Sequence, residues 1–235
     1  MENSNQSNSE GERYERKFLI ADLTLKEIEK IIRHNPLMFS EIFYERGVNN
    51  LYLDFEDMET YTDNVAGVSQ RLKIRIRWYG KLFGLIKKPT LELKIKNGEI
   101  YKKLVFPLKQ FLFNKSFSKK FLEKEVFNKS DLPAWLSETL KLTSSSSLNC
   151  YKRRYFISNN KSYRITIDRN LTFFNIKNNN NFFRPKLEDK QNIILELKYN
   201  KKEDDQIEQV TQHFPFRLTK SSKYVCGVDM LHLYS

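Results

Sequence analysis

Apolar and charged residues alternate along much of the chain, and this period of two predicts β-strands. The clearest case is residues 70–79, where Arg71, Lys73, Arg75 and Arg77 occupy every second position. In an extended strand these cations share one face and apolar side chains share the other. Such a cationic face favours a polyanionic ligand. About eight strands are predicted in all: 13–20, 49–55, 70–79, 90–97, 100–106, 149–158, 162–174 and 191–199.

Helical patterns fall between these strands. Thr24 is placed to cap a helix that carries Ile28 and Ile32, with Glu27 at the capping-box position. Asp57 can begin a second helix. The other predicted segments are a helix near 57–66, a helical insertion at about 118–142 formed by 118–128 and 131–142, a helix at 221–233, and loops at 144–147 and 175–181.

The polar faces of the predicted strands combine acids with bases. Glu15 and Lys17 share a face, and so do Glu196 and Lys198. For any one strand, an antiparallel sheet with a solvated face is a sufficient explanation. Because five strands agree, we favour a closed barrel with a polar lumen and an apolar outer surface covered by helices. Basic residues could then line one wall, and carboxylates could hold a metal at another.

The amino-acid composition limits the classes of partner that the chain is expected to bind. The chain has 41 Lys and Arg against 29 Asp and Glu, a formal net charge of +12, which favours an anionic partner: nucleic acid, a membrane surface or a phosphorylated small molecule. Most aromatic residues lie on the apolar sides of strands, so we interpret them as core and do not expect a nucleic-acid binder.

Cysteine content and the N-terminus bear on location and domain organisation. The two cysteines are too few for a disulfide framework and lack the spacing of a zinc site. The sequence contains neither a signal peptide nor a transmembrane segment, so we expect a cytoplasmic protein. Residues 1–11 are predicted to be a disordered leader, and 12–235 a single domain.

Several segments together resemble the catalytic domain of vacuolar transporter chaperone (VTC) proteins, the polyphosphate polymerases, within the CYTH-like superfamily of triphosphate tunnel metalloenzymes. The resemblance covers about 12 to 233. It is carried by Tyr-Glu-Arg-Lys-Phe (14–18), Leu-Tyr-Leu-Asp-Phe (51–55), Arg-Leu-Lys-Ile-Arg-Ile-Arg-Trp-Tyr-Gly (71–80), Leu-Glu-Leu-Lys (91–94), Cys-Tyr-Lys-Arg-Arg-Tyr-Phe (150–156), Tyr-Arg-Ile-Thr-Ile-Asp (163–168), Ile-Leu-Glu-Leu-Lys-Tyr (194–199) and Leu-Thr-Lys-Ser-Ser-Lys-Tyr (218–224).

This resemblance implies an α+β fold: an eight-stranded antiparallel β-barrel with a polar lumen, flanked by helices. The lumen would be a tunnel for the triphosphate of a nucleotide or the end of a polyphosphate chain. It also implies Mn²⁺ or Mg²⁺ bound by Glu196 and Glu15. The first strand departs from the Glu-x-Glu-x-Lys of many tunnel hydrolases, because Arg13 stands at the first position. Glu15 either binds metal without that second carboxylate or only pairs with a base.

The phosphate ligands implied by the resemblance are mostly cations. Arg75 and Arg77 match the paired arginines before Trp-Tyr-Gly, and their guanidinium forks suit bidentate phosphate contacts. The other residues matched to catalytic positions are Lys94, Arg153 and Arg164. Those matched to phosphate-binding positions are Lys17, Lys73, Tyr151, Lys198, Lys220, Ser222 and Lys223.

Three functions remain open at this point. The resemblance favours a polyphosphate polymerase that transfers the γ-phosphoryl group of ATP to a growing polyphosphate chain. The first alternative is metal-dependent hydrolysis of tripolyphosphate or a nucleoside triphosphate in the same tunnel. The second is polyphosphate binding without turnover. A membrane-protein partner chain could attach the domain to a membrane.

Overall fold

The computed structural model describes residues 13–98, 100–179, 181–183 and 185–233, so the leader predicted at 1–11 lies outside the described residues. The elements follow one another in this order: β1 (Arg13–Ile20), α1 (Leu25–Arg33), β2 (Ser40–Phe55), α2 (Glu59–Ala66), β3 (Gln70–Tyr79), β4 (Gly84–Ile86), β5 (Thr90–Asn97), β6 (Ile100–Pro107), β7 (Phe111–Phe113), α3 (Lys119–Phe121) continuing as a π-helical segment (Leu122–Phe127), α4 (Ala134–Lys141), β8 (Thr143–Ile157), β9 (Tyr163–Phe174), β10 (Pro185–Asp189), β11 (Ile193–Asn200), a 3₁₀ segment (Lys201–Gln206), α5 (Ile207–Thr211) and α6 (Lys223–Leu233).

One large antiparallel sheet dominates the molecule. Its strands follow the order β1-β11-β9-β8-β2-β3-β5-β6, and β10 pairs with β9 beside this path. β4 and β7 form a separate two-stranded sheet. Within the described ranges no ladder joins β1 to β6, so the eight strands of the main path are hydrogen-bonded as an open sheet. The antiparallel α+β class is confirmed; closure into a barrel is not shown.

The sheet is strongly curved. Lys17 of β1 donates a hydrogen bond to the backbone carbonyl of Ser221 at 2.9 Å, and Lys73 of β3 donates to the hydroxyl of Ser222, also at 2.9 Å. Five strand spacings separate β1 from β3, which in a flat sheet is roughly 24 Å. Because the two lysines reach adjacent residues, their strands must turn toward each other. We call the concave side of the sheet the inner face.

The opposite, convex side carries most of the apolar core. Ile28 and Ile32 of α1 are fully buried against residues of β1, β9 and β11. The predicted capping box of α1 is confirmed, with Thr24 and Glu27 making both reciprocal bonds. A second cluster packs β2, β3 and β5 against the π-helical segment and α4. Burial of these faces leaves the polar sides of the strands turned inward.

Some local predictions were wrong. Ser144–Ser147 were predicted as a loop but belong to β8, because β2 offers them ladder partners from Tyr52 to Asp54. Serine's weak strand preference is overridden by such pairing. α2 begins at Glu59 after Met58, and its first amides are bound mainly by the carboxylate of Asp54. The Asp57 side chain instead accepts a single bond from the Glu59 amide.

Candidate active site

Strand register places most of the predicted site residues together on the inner face. Directly opposed residues of an antiparallel pair project from the same side of the sheet. Lys17 opposes Glu196, and Glu15 opposes Lys198. The same rule, followed across the sheet, connects the remaining strands. The predicted residues on this face are Glu15, Lys17, Lys73, Arg75, Arg77, Lys94, Tyr151, Arg153, Arg164, Glu196 and Lys198.

A four-membered ion-pair network lies at the centre of this face. Arg153 holds Asp168 with both arms of its guanidinium group, Nε to Oδ1 at 2.5 Å and Nη2 to Oδ2 at 2.6 Å. Lys223, the first residue of α6, lies 2.6 Å from Asp168 Oδ2 and 3.1 Å from Glu196 Oε1. Arg153 also reaches Glu196 Oε2 at 3.2 Å. All four side chains are nearly inaccessible to solvent.

This network keeps its members charged despite burial. Burial alone would raise the carboxyl pKa of Asp168, but Arg153 and Lys223 outweigh it and lower that pKa. Burial likewise opposes the charge of Lys223, and its two carboxylate partners raise its pKa above the ordinary value. Because these four side chains are buried, the electrostatic interactions among them are stronger than they would be in water.

Tyr151 lies beneath two of these cations. The guanidinium carbon of Arg153 is 5.2 Å from the centre of its ring, and Lys223 Nζ is 5.1 Å from the same point. Its hydroxyl accepts a 3.4 Å hydrogen bond from Arg77 Nη2. Burial would raise the pKa of this phenol, but Arg153, Arg77 and Lys223 together lower it. Tyr151 thus contacts Arg77 of β3, Arg153 of β8 and Lys223 of α6.

Arg75 and Arg77 share the carboxylate of Glu92, which was not predicted as a site residue. Arg75 Nη2 lies 2.6 Å from Glu92 Oε2, and Arg77 Nη1 lies 3.5 Å from the same oxygen. Lys103 binds the other oxygen of Glu92 at 2.9 Å. Arg77 also donates to Asn50 Oδ1 at 2.8 Å. These bonds hold both guanidinium groups in place before any ligand arrives.

Lys73 is the clearest sign that positive charge is in excess. Its amine is partly buried, and burial together with Lys17, Lys94 and Arg75 lowers its pKa to about 7. The Lys73 amine donates a hydrogen bond to the neutral hydroxyl of Ser222. Lys94 stands directly opposite Lys73 in the ladder. An anion bound here would favour the charged form of Lys73.

Glu15 and Glu196 form the candidate cation site. Both carboxylates contact Lys198 Nζ, at 3.7 Å and 3.1 Å respectively, so they lie close together. Burial and Glu196 would raise the pKa of Glu15, but Lys198, Lys17 and Lys94 lower it to about 2. Within the described residues no three acidic, histidine or cysteine side chains form a metal-binding group. Two oxygen ligands fit Mg²⁺ or Mn²⁺ if phosphate oxygens complete the coordination.

Two predicted residues stand at the margin of the site. Arg164 is exposed and opposes Lys198 in the ladder. Lys220 is exposed in the segment that leads into α6, while Ser222 and Lys223 of the same motif reach the inner face. Four further residues of the site were not predicted from the sequence: Asp168, Glu92, Asn50 and Lys103. Asp168 and Glu92 were detectable as acids that alternate in step with the bases of their strands.

The fold is shared with solved structures of low sequence identity. A putative adenylate cyclase from Bacillus halodurans superposes with a TM-score of 0.55 at 12% identity, covering 92% of this chain and 96% of that one. A putative adenylate cyclase from Vibrio parahaemolyticus gives 0.52 at 9% identity, covering 94% and 98%. A putative adenylyl cyclase from Hippeastrum, described as having a dominant triphosphatase activity, gives 0.50 at 12% identity, covering 93% and 95%. At these identities the likeness shows the fold alone.

A protein-family model shows which family the chain belongs to. The VTC domain model matches residues 12–232, and the chain belongs to this family. No curated protein matches the chain. No helix in the described part of the chain is long and apolar enough to cross a membrane.

Proposed function

We propose that the chain is a polyphosphate polymerase that transfers the γ-phosphoryl group of ATP to the end of a polyphosphate chain. The observation that carries this proposal is the convergence of cations from β1, β3, β8, β11 and α6 on one concave face. These cations outnumber the neighbouring carboxylates, and together with burial they disfavour the charged form of Lys73. A chain of phosphates supplies closely spaced negative charges along a line, which suits this arrangement.

In this proposal the curved sheet forms the wall of a tunnel. The segment before α6 supports that view, because it lies between two strands that are distant in the sheet order. Leu218 pairs with Phe18 of β1, and Ser222 binds Lys73 of β3. The segment therefore covers part of the space between them. A ligand on the inner face would be surrounded by strands and by this segment.

The carboxylates of the inner face would orient the arginines that bind phosphate. Arg75 and Arg77 are oriented by Glu92, and Arg153 by Asp168, so each presents a guanidinium group of fixed direction. Arginine forks bind phosphate in a bidentate manner, whereas lysine acts as a point charge. Lys17, Lys198 and Lys223 would supply such point charges.

Glu15 and Glu196 would hold the divalent cation, Mn²⁺ or Mg²⁺, together with phosphate oxygens of the substrate. When bound, this cation would neutralise phosphate charge and polarise the transferred group. Lys198, which now contacts both carboxylates, would then be available to the phosphates. Mg²⁺ commonly binds through one or two carboxylates and substrate phosphates, which agrees with this donor set.

Phosphoryl transfer needs positioning and charge neutralisation more than covalent help from the protein. The cations of the inner face would align the terminal phosphate of the polyphosphate chain with the γ-phosphorus of ATP. An oxygen of that terminal phosphate forms the new P–O bond, and the bond to the β-phosphate oxygen breaks. ADP leaves, and the chain grows by one phosphate.

The second candidate is hydrolysis of tripolyphosphate or a nucleoside triphosphate on the same face, with water as the nucleophile. It is supported by the structural neighbour from Hippeastrum with dominant triphosphatase activity. Arg13 at the position of the first carboxylate of Glu-x-Glu-x-Lys favours the polymerase. Binding of polyphosphate without turnover is the third candidate. A membrane-protein partner chain and a cytoplasmic location remain expectations.

The experiment that distinguishes a polymerase from a hydrolase determines which molecule receives the γ-phosphoryl group. Purified protein is incubated with ATP, Mn²⁺ and a short polyphosphate primer, and chain length, ADP and inorganic phosphate are measured together. We expect longer chains with matching ADP, and loss of both in Glu196→Gln with an unchanged circular dichroism spectrum. Free phosphate without chain growth would establish the hydrolase instead. Binding without either product would leave the non-catalytic alternative.

A further inference from the structure

A cation–π cluster lies beyond the phosphate-binding residues of the inner face. The guanidinium carbon of Arg46 is 4.3 Å from the ring centre of Phe43, 4.9 Å from that of Tyr155 and 5.5 Å from that of Tyr79. Phe43 and Tyr155 meet edge to face, with their ring centres 5.7 Å apart. We call these four residues the aromatic rim.

Two of the three rings of the aromatic rim are about half exposed to solvent. Phe43 is 51% exposed and Tyr79 is 50% exposed. The first half of β2 pairs with β8, while the ladder between β2 and β3 ends at Val48 and Tyr79. The rim therefore lies where β3 stops and β2 continues. Aromatic rings left half exposed around an arginine offer a stacking surface for another flat ring.

Strand periodicity places the rim next to the proposed phosphate site. Tyr79 is two residues beyond Arg77 on the same face of β3, and Tyr155 is two residues beyond Arg153 on the same face of β8. One such step is about 7 Å along a strand. Arg46 itself opposes Arg153 in the ladder. This distance suits a ribose that connects a bound phosphate to a base on the rim.

The other end of the inner face is covered by α6. Lys223 contacts Asp168 and Glu196, and Cys226 packs beside the cluster that contains Tyr151 and Phe173. Gly227 is so close to β8 that an added Cβ would lie 2.6 Å from Ser147 Oγ. A nucleotide with its phosphates against Arg77 and Arg153 would therefore extend its nucleoside away from α6, toward the rim.

We propose that the aromatic rim is a nucleobase-binding site that selects a nucleoside triphosphate, rather than a purely inorganic polyphosphate, as the phosphoryl donor. This inference rests on the proposed function, since it assumes that the phosphates bind the inner face. The base would stack on Phe43 or Tyr79, with Arg46 holding the rings in place. Stacking of this kind is tolerant of base identity.

The test compares ligands that differ by the nucleoside alone. Binding of ATP and of inorganic tripolyphosphate is titrated with the wild-type protein, Phe43→Ala, Tyr79→Ala and the control Phe182→Ala, all at one salt concentration. Phe182 is also exposed, at 74%, but lies outside the rim. We expect each rim variant to weaken ATP binding about tenfold, the loss of one base–aromatic stack, with tripolyphosphate affinity unchanged.

Each other outcome overturns the inference. If ATP and tripolyphosphate weaken by the same factor, the rim contacts phosphate or supports the fold and does not bind a base. If neither ligand weakens, the rim takes no part in binding. If the wild-type protein binds neither ligand, the proposed function fails first, and this result is distinguishable because it appears before any rim variant is compared.

Discussion

Lys73 on β3 and Ser222 ahead of α6 are joined by a 2.9 Å hydrogen bond between Nζ and Oγ. The bond connects a strand far along the sheet to the segment that also contacts Lys17 of β1. A lysine held beside other cations and bound to a neutral hydroxyl is poorly compensated. The charged form of Lys73 therefore destabilises the protein alone and is stabilised when an anion binds.

Replacing Lys73 should change thermal stability and ligand affinity in opposite directions. We expect Lys73→Met to raise the melting temperature, because it removes a cation crowded by Lys17, Lys94 and Arg75. The same change should weaken tripolyphosphate affinity. Thermal unfolding and titration calorimetry measure the two effects. Lys141→Met, at an exposed side chain on α4, should change neither. A lower melting temperature in Lys73→Met would contradict the assignment of excess charge.

The pKa of Lys73, lowered to about 7, has a defined pH signature. The unfolded chain keeps the ordinary lysine pKa of 10.5 and so binds more protons than the folded protein between about pH 7 and 10.5. This residue's contribution to folding stability should therefore rise with pH across that window. Anion binding near pH 8 should be accompanied by proton uptake.

Titration calorimetry of tripolyphosphate in buffers of different ionisation enthalpy measures this uptake. The wild-type protein should take up a fraction of a proton near pH 8, and Lys73→Met should take up less. Equal uptake by both proteins would assign the titration to another group.

Asp168 is predicted to be essential for stability as well as for the site. Asp168→Asn would remove one of the two carboxylates that the buried Arg153 and Lys223 share, leaving them Glu196. Breaking a buried ion pair in this way costs about 3–5 kcal/mol. Urea unfolding measures the loss. Glu138→Gln, which breaks the exposed pair with Lys141, should cost less than about 1 kcal/mol. Similar losses in both variants would refute the network's role.

The close packing of α6 predicts a steric effect at Gly227. An alanine Cβ there would lie 2.6 Å from Ser147 Oγ and 2.9 Å from Phe173 Cδ1. Overpacking of this kind costs about 1–3 kcal/mol. Gly227→Ala should lower the melting temperature and weaken tripolyphosphate binding, since α6 carries Lys223. Adding Ser147→Ala should restore part of both losses, and no restoration would show that the hydroxyl is not the obstacle.

The sequence predicted the elements with strong local signals. Alternation placed the cations of β3 on one face, and Thr24 with Glu27 correctly marked the start of α1. Short elements such as β4 lacked enough residues to show a period. The first half of β2 was missed because its ladder with β8 shifts register between Phe43 and Arg46, which interrupts the alternation.

Long-range pairing could not be predicted from the residues themselves. The contact of Lys223 with Asp168 depends on the order β11-β9-β8 and on the position of α6, and no local pattern encodes either. The resemblance assigned Lys223 to phosphate without its buried carboxylate partner. Glu92 alternates with the bases of its own strand, but its pairing with Arg75 follows from the ladder between β3 and β5 and is likewise long-range.

The most direct test of the account is tripolyphosphate binding by the wild-type protein and by Arg75→Gln/Arg77→Gln, measured by titration calorimetry at one salt concentration. Circular dichroism checks that both proteins are folded, and Lys141→Met serves as the charge control. Loss of two charge-assisted bonds should weaken binding about a hundredfold or more, while the control keeps the wild-type affinity. A folded double variant that binds as tightly as the wild-type protein would contradict the claim that the inner face holds the phosphate chain.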